Sequence, residues 1–100
     1  MMKNEGFYSI TELCRQHRIE RSFIHALGDT GLVHIERVEQ TECIAADALG
    51  EVERFIRMHY ELSINLEGLE AIAHLLRKVE GLQQQVRVLQ NRLDGYEQQA

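Results

Sequence analysis

Almost every apolar residue of this 100-residue chain falls at the spacing of a helix face, and that rhythm breaks only once, between Val33 and Ala45. Apolar residues three and four positions apart form one stripe on a helix, whereas β-branched residues between polar ones suit a strand. Two helices are therefore expected before the break and further helices after it. Ser9-Ile10-Thr11-Glu12 announces the first. The Ser9 hydroxyl can accept the third amide of the helix, and Glu12 can reach back to the Ser9 amide. Ile10, Leu13 and Cys14 then share a face. A second helix is expected over about residues 20–30, with Phe23, Ile24 and Leu27 as its stripe and Gly31 ending it in a left-handed conformation. Gly28 inside it is a mild cost.

The break itself reads as a short two-stranded hairpin. Val33, Ile35 and Val38 are β-branched, Glu39-Gln40-Thr41-Glu42 makes a polar tip, and Cys43-Ile44-Ala45 is apolar again. A third helix is expected from near Asp47, with Leu49, Val52, Phe55, Ile56, His59 and Tyr60 as its inner face. Asn65 suits the N-cap of a fourth, whose stripe is Leu66, Leu69, Ile72, Ala73 and Leu76. Gly81 marks a candidate break before a last helix. There Leu82, Val86, Leu89, Leu93 and Tyr96 alternate steps of four and three, the 3.5-residue period of a coiled coil. With only about two heptads, such a helix is marginal alone and needs a partner surface. That surface is either a second copy of the chain or the chain's own helices. The reading gives residues 1–80 to one domain and residues 81–100 to a dimerisation helix.

Composition narrows the function. Sixteen acidic residues against eleven Lys and Arg leave a formal charge of -5, the opposite of the usual balance in a nucleic-acid binder. No apolar run approaches the length of a membrane span, and residues 1–6 lack the apolar core of a signal peptide, so a cytoplasmic location is expected. Cys14 and Cys43 lie far apart and are expected as thiols. Catalysis finds no support: no glycine-rich phosphate loop, nucleophile motif or singled-out acid pair is present. No cofactor or metal is expected. Cys14 and His17 sit one turn apart, but two ligands are too few for zinc, and the five histidines contain no i,i+4 pair.

Two tightly joined helices followed by a hairpin make a winged helix-turn-helix. Tyr8-Ser9-Ile10-Thr11-Glu12-Leu13, Gly31-Leu32-Val33, Asp47, Phe55-Ile56 and the joint from Leu62 to Leu69 resemble the MerR-type domain. His59-Tyr60-Glu61-Leu62, Asn65-Leu66-Glu67-Gly68, Leu75-Leu76 and the short Gln-rich coil are similar to the CbpM-type chaperone modulators over nearly the whole chain. The resemblance implies a mainly α, MerR-like winged helix-turn-helix with a small β-hairpin wing and a C-terminal coiled-coil-like helix. It also implies a non-enzymatic regulator that binds the J-domain of a DnaJ-like co-chaperone of the CbpA type and inhibits it. MerR relatives pair two subunits through their last helix, usually antiparallel, so a homodimer through Leu82, Val86, Leu89, Leu93 and Tyr96 is expected.

The departures from DNA-binding MerR proteins point the same way. Those relatives hold phosphates with Arg and Tyr on the second helix, whereas His25 and Ala26 stand where an Arg and a Tyr would be expected, and Glu20 replaces the usual Ser cap. The wing carries Glu36, Glu39 and Glu42 against one Arg37, a charge that repels phosphate. Specific DNA binding is therefore not expected. The acids of the hairpin and third helix, Glu36, Glu39, Glu42, Asp47, Glu51 and Glu53, become candidates for meeting a basic J-domain helix. The alternative is a small MerR-family transcriptional regulator using Arg15, Arg18 and Arg21 as a basic strip. A ligand-sensing role has no residue arguing for it.

Overall fold

The computed structural model describes residues 2–4 and 6–99. Met1, Glu5 and Ala100 fall within the expected 1–80 and 81–100 division but outside the described residues. In chain order the elements are β1 (Met2–Asn4), β2 (Phe7–Ser9), α1 (Ile10–His17), α2 (Arg21–Asp29), β3 (Glu36–Val38), β4 (Thr41–Ala45), a 3-10 turn (Ala46–Ala48), α3 (Leu49–Tyr60) and α4 (Leu66–Gln99). The chain divides into two compact units, Met1–Glu70 and Ala71–Ala100. The first holds the sheet, α1 to α3 and the start of α4; the second is the remainder of α4.

Ser9 starts the helical part as expected. It sits in the extended region, its hydroxyl accepts the Glu12 amide at 3.4 Å, and it is almost fully buried. At the other end of α1, Arg18 adopts a left-handed conformation at φ 57°, and the Arg18 and Ile19 amides both reach the Cys14 carbonyl. This three-residue turn brings α2 directly after α1. Thr30 caps α2, and Gly31 follows at φ 84°, a backbone region that glycine enters without steric cost. Gly28 has a packing reason. A Cβ there would meet Ile35 Cδ1 at 2.8 Å, so the glycine lets the 33–35 loop lie against α2.

The hairpin is present, with Val38 paired to Thr41 across a two-residue loop. Glu39 and Gln40 both take positive φ, 51° and 64°, as a type I′ turn requires, although neither is the Asn or Gly such a turn favours. The sheet is larger than the hairpin. β2 pairs antiparallel with β4 (Phe7 with Ala45, Tyr8 with Ile44, Ser9 with Cys43), and β1 adds to β2, giving the order β1-β2-β4-β3. Ile10 and Leu13 of α1, Ile24 and Leu27 of α2, Cys43 and Ile44 of β4, and Val52 and Phe55 of α3 are buried together with Leu69 at the start of α4.

Two expectations are corrected. On α3, Val52, Phe55 and Ile56 are buried, but Tyr60 stands 44% exposed. It lies edge-on to Phe23 at 5.4 Å, and its hydroxyl accepts the Glu20 amide at 3.4 Å, so the polar end of the ring faces outward beside α2. His59 stacks on Phe23 with centroids 4.5 Å apart, and its Nδ1 donates to the Ile64 carbonyl at 2.8 Å, closing the α3–α4 corner. Second, Gly81 breaks nothing: α4 runs unbroken for 34 residues, so the fourth and last helices are one. Asn65 caps it as expected, accepting the Gly68 amide at 2.8 Å.

Two glycines of this helix should respond oppositely to alanine. A Cβ on Gly68 would lie 2.7 Å from Ile64 Cγ2 and 3.2 Å from the capping Asn65 Oδ1, whereas one on Gly81 meets nothing within 4 Å. Gly81→Ala should raise the thermal midpoint of the helix signal, by up to about 1 kcal/mol of propensity. Gly68→Ala should lower stability by about 1–3 kcal/mol through overpacking against the cap. Circular dichroism during thermal and urea unfolding reads both signs.

Candidate partner-binding surface

The recognition helix of a winged helix-turn-helix and its wing normally face DNA together. Here they face each other. Arg21, first residue of α2, donates to Thr11 Oγ1 of α1 at 2.7 Å and to Glu42 Oε1 of β4 at 3.0 Å. His25, one turn along α2, donates from Nε2 to the same Glu42 oxygen at 2.9 Å, and Arg37 of β3 approaches the other at 4.0 Å. Glu42 can reach them because Arg37 and Glu42 are directly opposed in the hairpin, so their side chains share one face. Hydrogen bonds from His25 and then Arg21 hold the Glu42 carboxyl below the usual carboxylate range. Burial pushes the Cys14 thiol up, partly opposed by the Arg21 charge, which keeps it a poor nucleophile.

An open cleft of about 460 Å³ lies beside this junction, between His25, Gly28 and Asp29 of α2, the Val33–Ile35 loop and Glu42. Among the described residues no group of three or more His, Cys, Asp or Glu could hold a metal ion.

The basic strip that would serve DNA is largely committed. Arg15 makes a 2.6 Å ion pair with Glu12, and Arg21 is bound to Thr11 and Glu42. Arg18 is exposed at the end of α1 and makes no ion pair among the described residues. The six candidate acids separate in the same manner. Glu42 is engaged as described, and Glu53 is half-buried on α3 with Oε2 3.2 Å from His17 Nε2. Glu36 is half-buried opposite Cys43. Glu39 at the hairpin tip, Asp47 in the 3-10 turn and Glu51 in the first turn of α3 stand exposed, with no ion pair among the described residues. Charge sign made all six look alike in the sequence; only folding distinguishes a carboxylate with an internal partner from one turned to solvent.

Leu82, Val86, Leu89, Leu93 and Tyr96 are all exposed on α4. Because Gly81 does not interrupt the helix, the stripe continues upstream through Val79 to Leu75, both exposed. Sequence reasoning missed this extension by ending the stripe at the glycine. No helix among the described residues is long and apolar enough to cross a membrane.

Glu42 gives a pH signature. Its carboxyl titrates lower in the folded chain than its ordinary value of 4.5, so its contribution is complete above that value and disappears as pH falls through the folded value. Glu42→Gln should therefore be less stable than the parent at about pH 6, and the difference should shrink as pH falls toward about pH 3. Urea midpoints at both pH values check this; a constant difference would mean the junction does not act through charge.

A family model for MerR HTH family regulatory proteins matches residues 8–91, from β2 into the second half of α4. The chain is also 26% identical over 90 residues to the chaperone modulatory protein CbpM of Escherichia coli strain K12 / DH10B, an alignment covering 89% of each chain. The CbpM proteins of Escherichia coli O157:H7 and of Shigella boydii serotype 18 match to the same extent. No solved structure matches. With the matched segment holding both helices of the helix-turn-helix, the wing and most of α4, the chain belongs to the MerR HTH family of regulatory proteins.

Proposed function

We propose that this protein is a chaperone modulator that works by binding, not catalysis: it holds the J-domain of a DnaJ-like co-chaperone and lowers that domain's stimulation of its Hsp70 partner. The observation that carries the reading is the Glu42 junction. A wing carboxylate sits on Arg21 and His25, the two nitrogen-bearing side chains that the recognition helix offers, so the DNA-reading face is engaged by its own chain. A scaffold of this family without its phosphate-binding charges fits a protein partner better than a nucleic acid. Similarity to chaperone modulatory proteins along 89% of the chain supports a role in chaperone modulation. A J-domain partner implies action in the cytoplasm.

The physical route is charge complementarity. A J-domain engages Hsp70 through a basic helix, and an acidic surface lying over that helix competes for the encounter. Glu39, Asp47 and Glu51 are the acids with carboxylates available for it, with Glu36 beside them on the hairpin; Glu42 and Glu53 serve the fold first. Complementary charge acts mainly on association rate and orientation. The stripe on α4 holds a second copy of the chain, because a 3.5-residue apolar period is what keeps two helices in register.

Titrating the purified protein into a J-domain, with Hsp70 ATPase activity followed in parallel, tests the central reading. Saturable binding with loss of stimulation is expected; no binding, or tight sequence-selective binding to a genomic DNA fragment instead, overturns it. Changing Glu39, Asp47 and Glu51 together to Lys should slow association by about tenfold or more and flatten its salt dependence. Normal association by this variant would move the contact to another face. Leu89→Asp should convert a sedimenting dimer to monomer, since a carboxylate would otherwise be buried unpaired in the seam.

A further inference from the structure

Three side chains bring nitrogen to the Glu42 carboxylate. Arg21 Nη2 donates to Oε1 at 3.0 Å, His25 Nε2 lies 2.9 Å from the same oxygen, and Arg37 Nη2 stands 4.0 Å from Oε2. Two of the three are held in place without the carboxylate. Arg21 is tied through Nη1 to Thr11 Oγ1 of α1 at 2.7 Å, and Arg37 donates through Nη1 to the Gln40 carbonyl at 3.3 Å. His25 follows Arg21 by four residues on α2, so the two share a helix face. Taking Glu42 away would therefore leave its donors standing.

Such donors are not particular to a carboxylate. An arginine fork suits carboxylate and phosphate oxygens alike, and imidazole N–H donates to either. The place is also where a duplex would arrive, since α2 and the hairpin are the two elements that a winged helix-turn-helix turns toward DNA. The Arg21 and His25 side chains are each 43% exposed against 24% for Glu42, so the carboxylate lies deeper than its donors and they remain open to solvent. Arg18, in the turn just before α2, is exposed and makes no ion pair among the described residues.

We propose that Arg21, His25 and Arg37 form a latent site for a phosphate of a duplex backbone, and that Glu42 shuts it from within the chain. The contact is autoinhibitory: one carboxylate fills the place of the phosphate and repels the group it imitates. The inference rests on the reading that the unaltered chain does not act on DNA, and names the group responsible.

Glu42→Gln removes the charge and keeps the size of the side chain; Glu42→Ala removes both. The links to Glu42 are exposed enough to be weak in stability, so both chains should fold, which circular dichroism checks. Fluorescence anisotropy of a labelled duplex of mixed sequence reads binding at low and at moderate salt. Both variants should bind at least about tenfold more tightly than the parent at low salt, and the gain should fade as salt rises. Adding Arg21→Ala to Glu42→Ala should remove the gain. Asp29→Asn, which changes the net charge equally on the same helix, should not produce one. No gain in either Glu42 variant overturns the proposal. So does a gain that survives loss of Arg21, or one that Asp29→Asn matches, because net charge alone would then account for it. A gain for inorganic phosphate in calorimetry without one for the duplex overturns the assignment to a nucleic-acid backbone. Tight, sequence-selective binding by the unaltered chain would sink the functional reading itself, whereas unresponsive Glu42 variants sink only this inference.

Discussion

The winged unit depends on Ser9, a polar residue buried where two kinds of backbone pairing meet. As the last residue of β2 it pairs with Cys43 of the wing strand, and as the N-cap of α1 it accepts the Glu12 amide. One residue thus joins the wing, far along the sequence, to the first turn of the helix-turn-helix. Ile10 and Cys43, its chain neighbour and its strand partner, have no exposed surface. A buried hydroxyl is tolerated because it has a donor to satisfy it, and an alanine there would leave the amide it caps without that partner.

With the wing anchored, electrostatics follows from geometry. The hairpin register sets Arg37 and Glu42 on one face, and the short turn through Arg18 brings α2 alongside. Glu42 then reaches both Arg21 and His25. Each link is exposed enough to be weak as a contribution to stability. Their consequence for recognition is larger: the Arg21 guanidinium and the His25 ring that could have met phosphate already hold a carboxylate, and an approaching anion would have to displace it.

Local signals made much of the fold legible. The Ser9 cap, the Gly31 terminus, the two-stranded wing and the Asn65 cap were readable because each is decided within a few residues. β2 was not, since Phe7-Tyr8-Ser9 is too short to show alternation and its partner strand lies more than thirty residues away. Nor was the turn at Glu39-Gln40, where tertiary context imposes a left-handed backbone on residues that do not favour it. Gly81 misled in the opposite sense. A single glycine weakens a helix without ending it, and the 34-residue helix continues through it with its apolar stripe intact. At the candidate surface, the sequence supplied the sign of each charge but not which acids had partners at home. Pairing across α1, α2 and the wing is a property of the folded chain alone.

The corner between α3 and α4 has a further property. A carbonyl oxygen can only accept, so the bond to Ile64 requires the hydrogen on His59 Nδ1. The face of the same ring is held by Phe23, 4.5 Å away and 16° from parallel, and Tyr60 stands edge-on to it. With the bond and the stack both satisfied the imidazole has one orientation, and the joint from which α4 starts is set by a single side chain that could not turn without losing both.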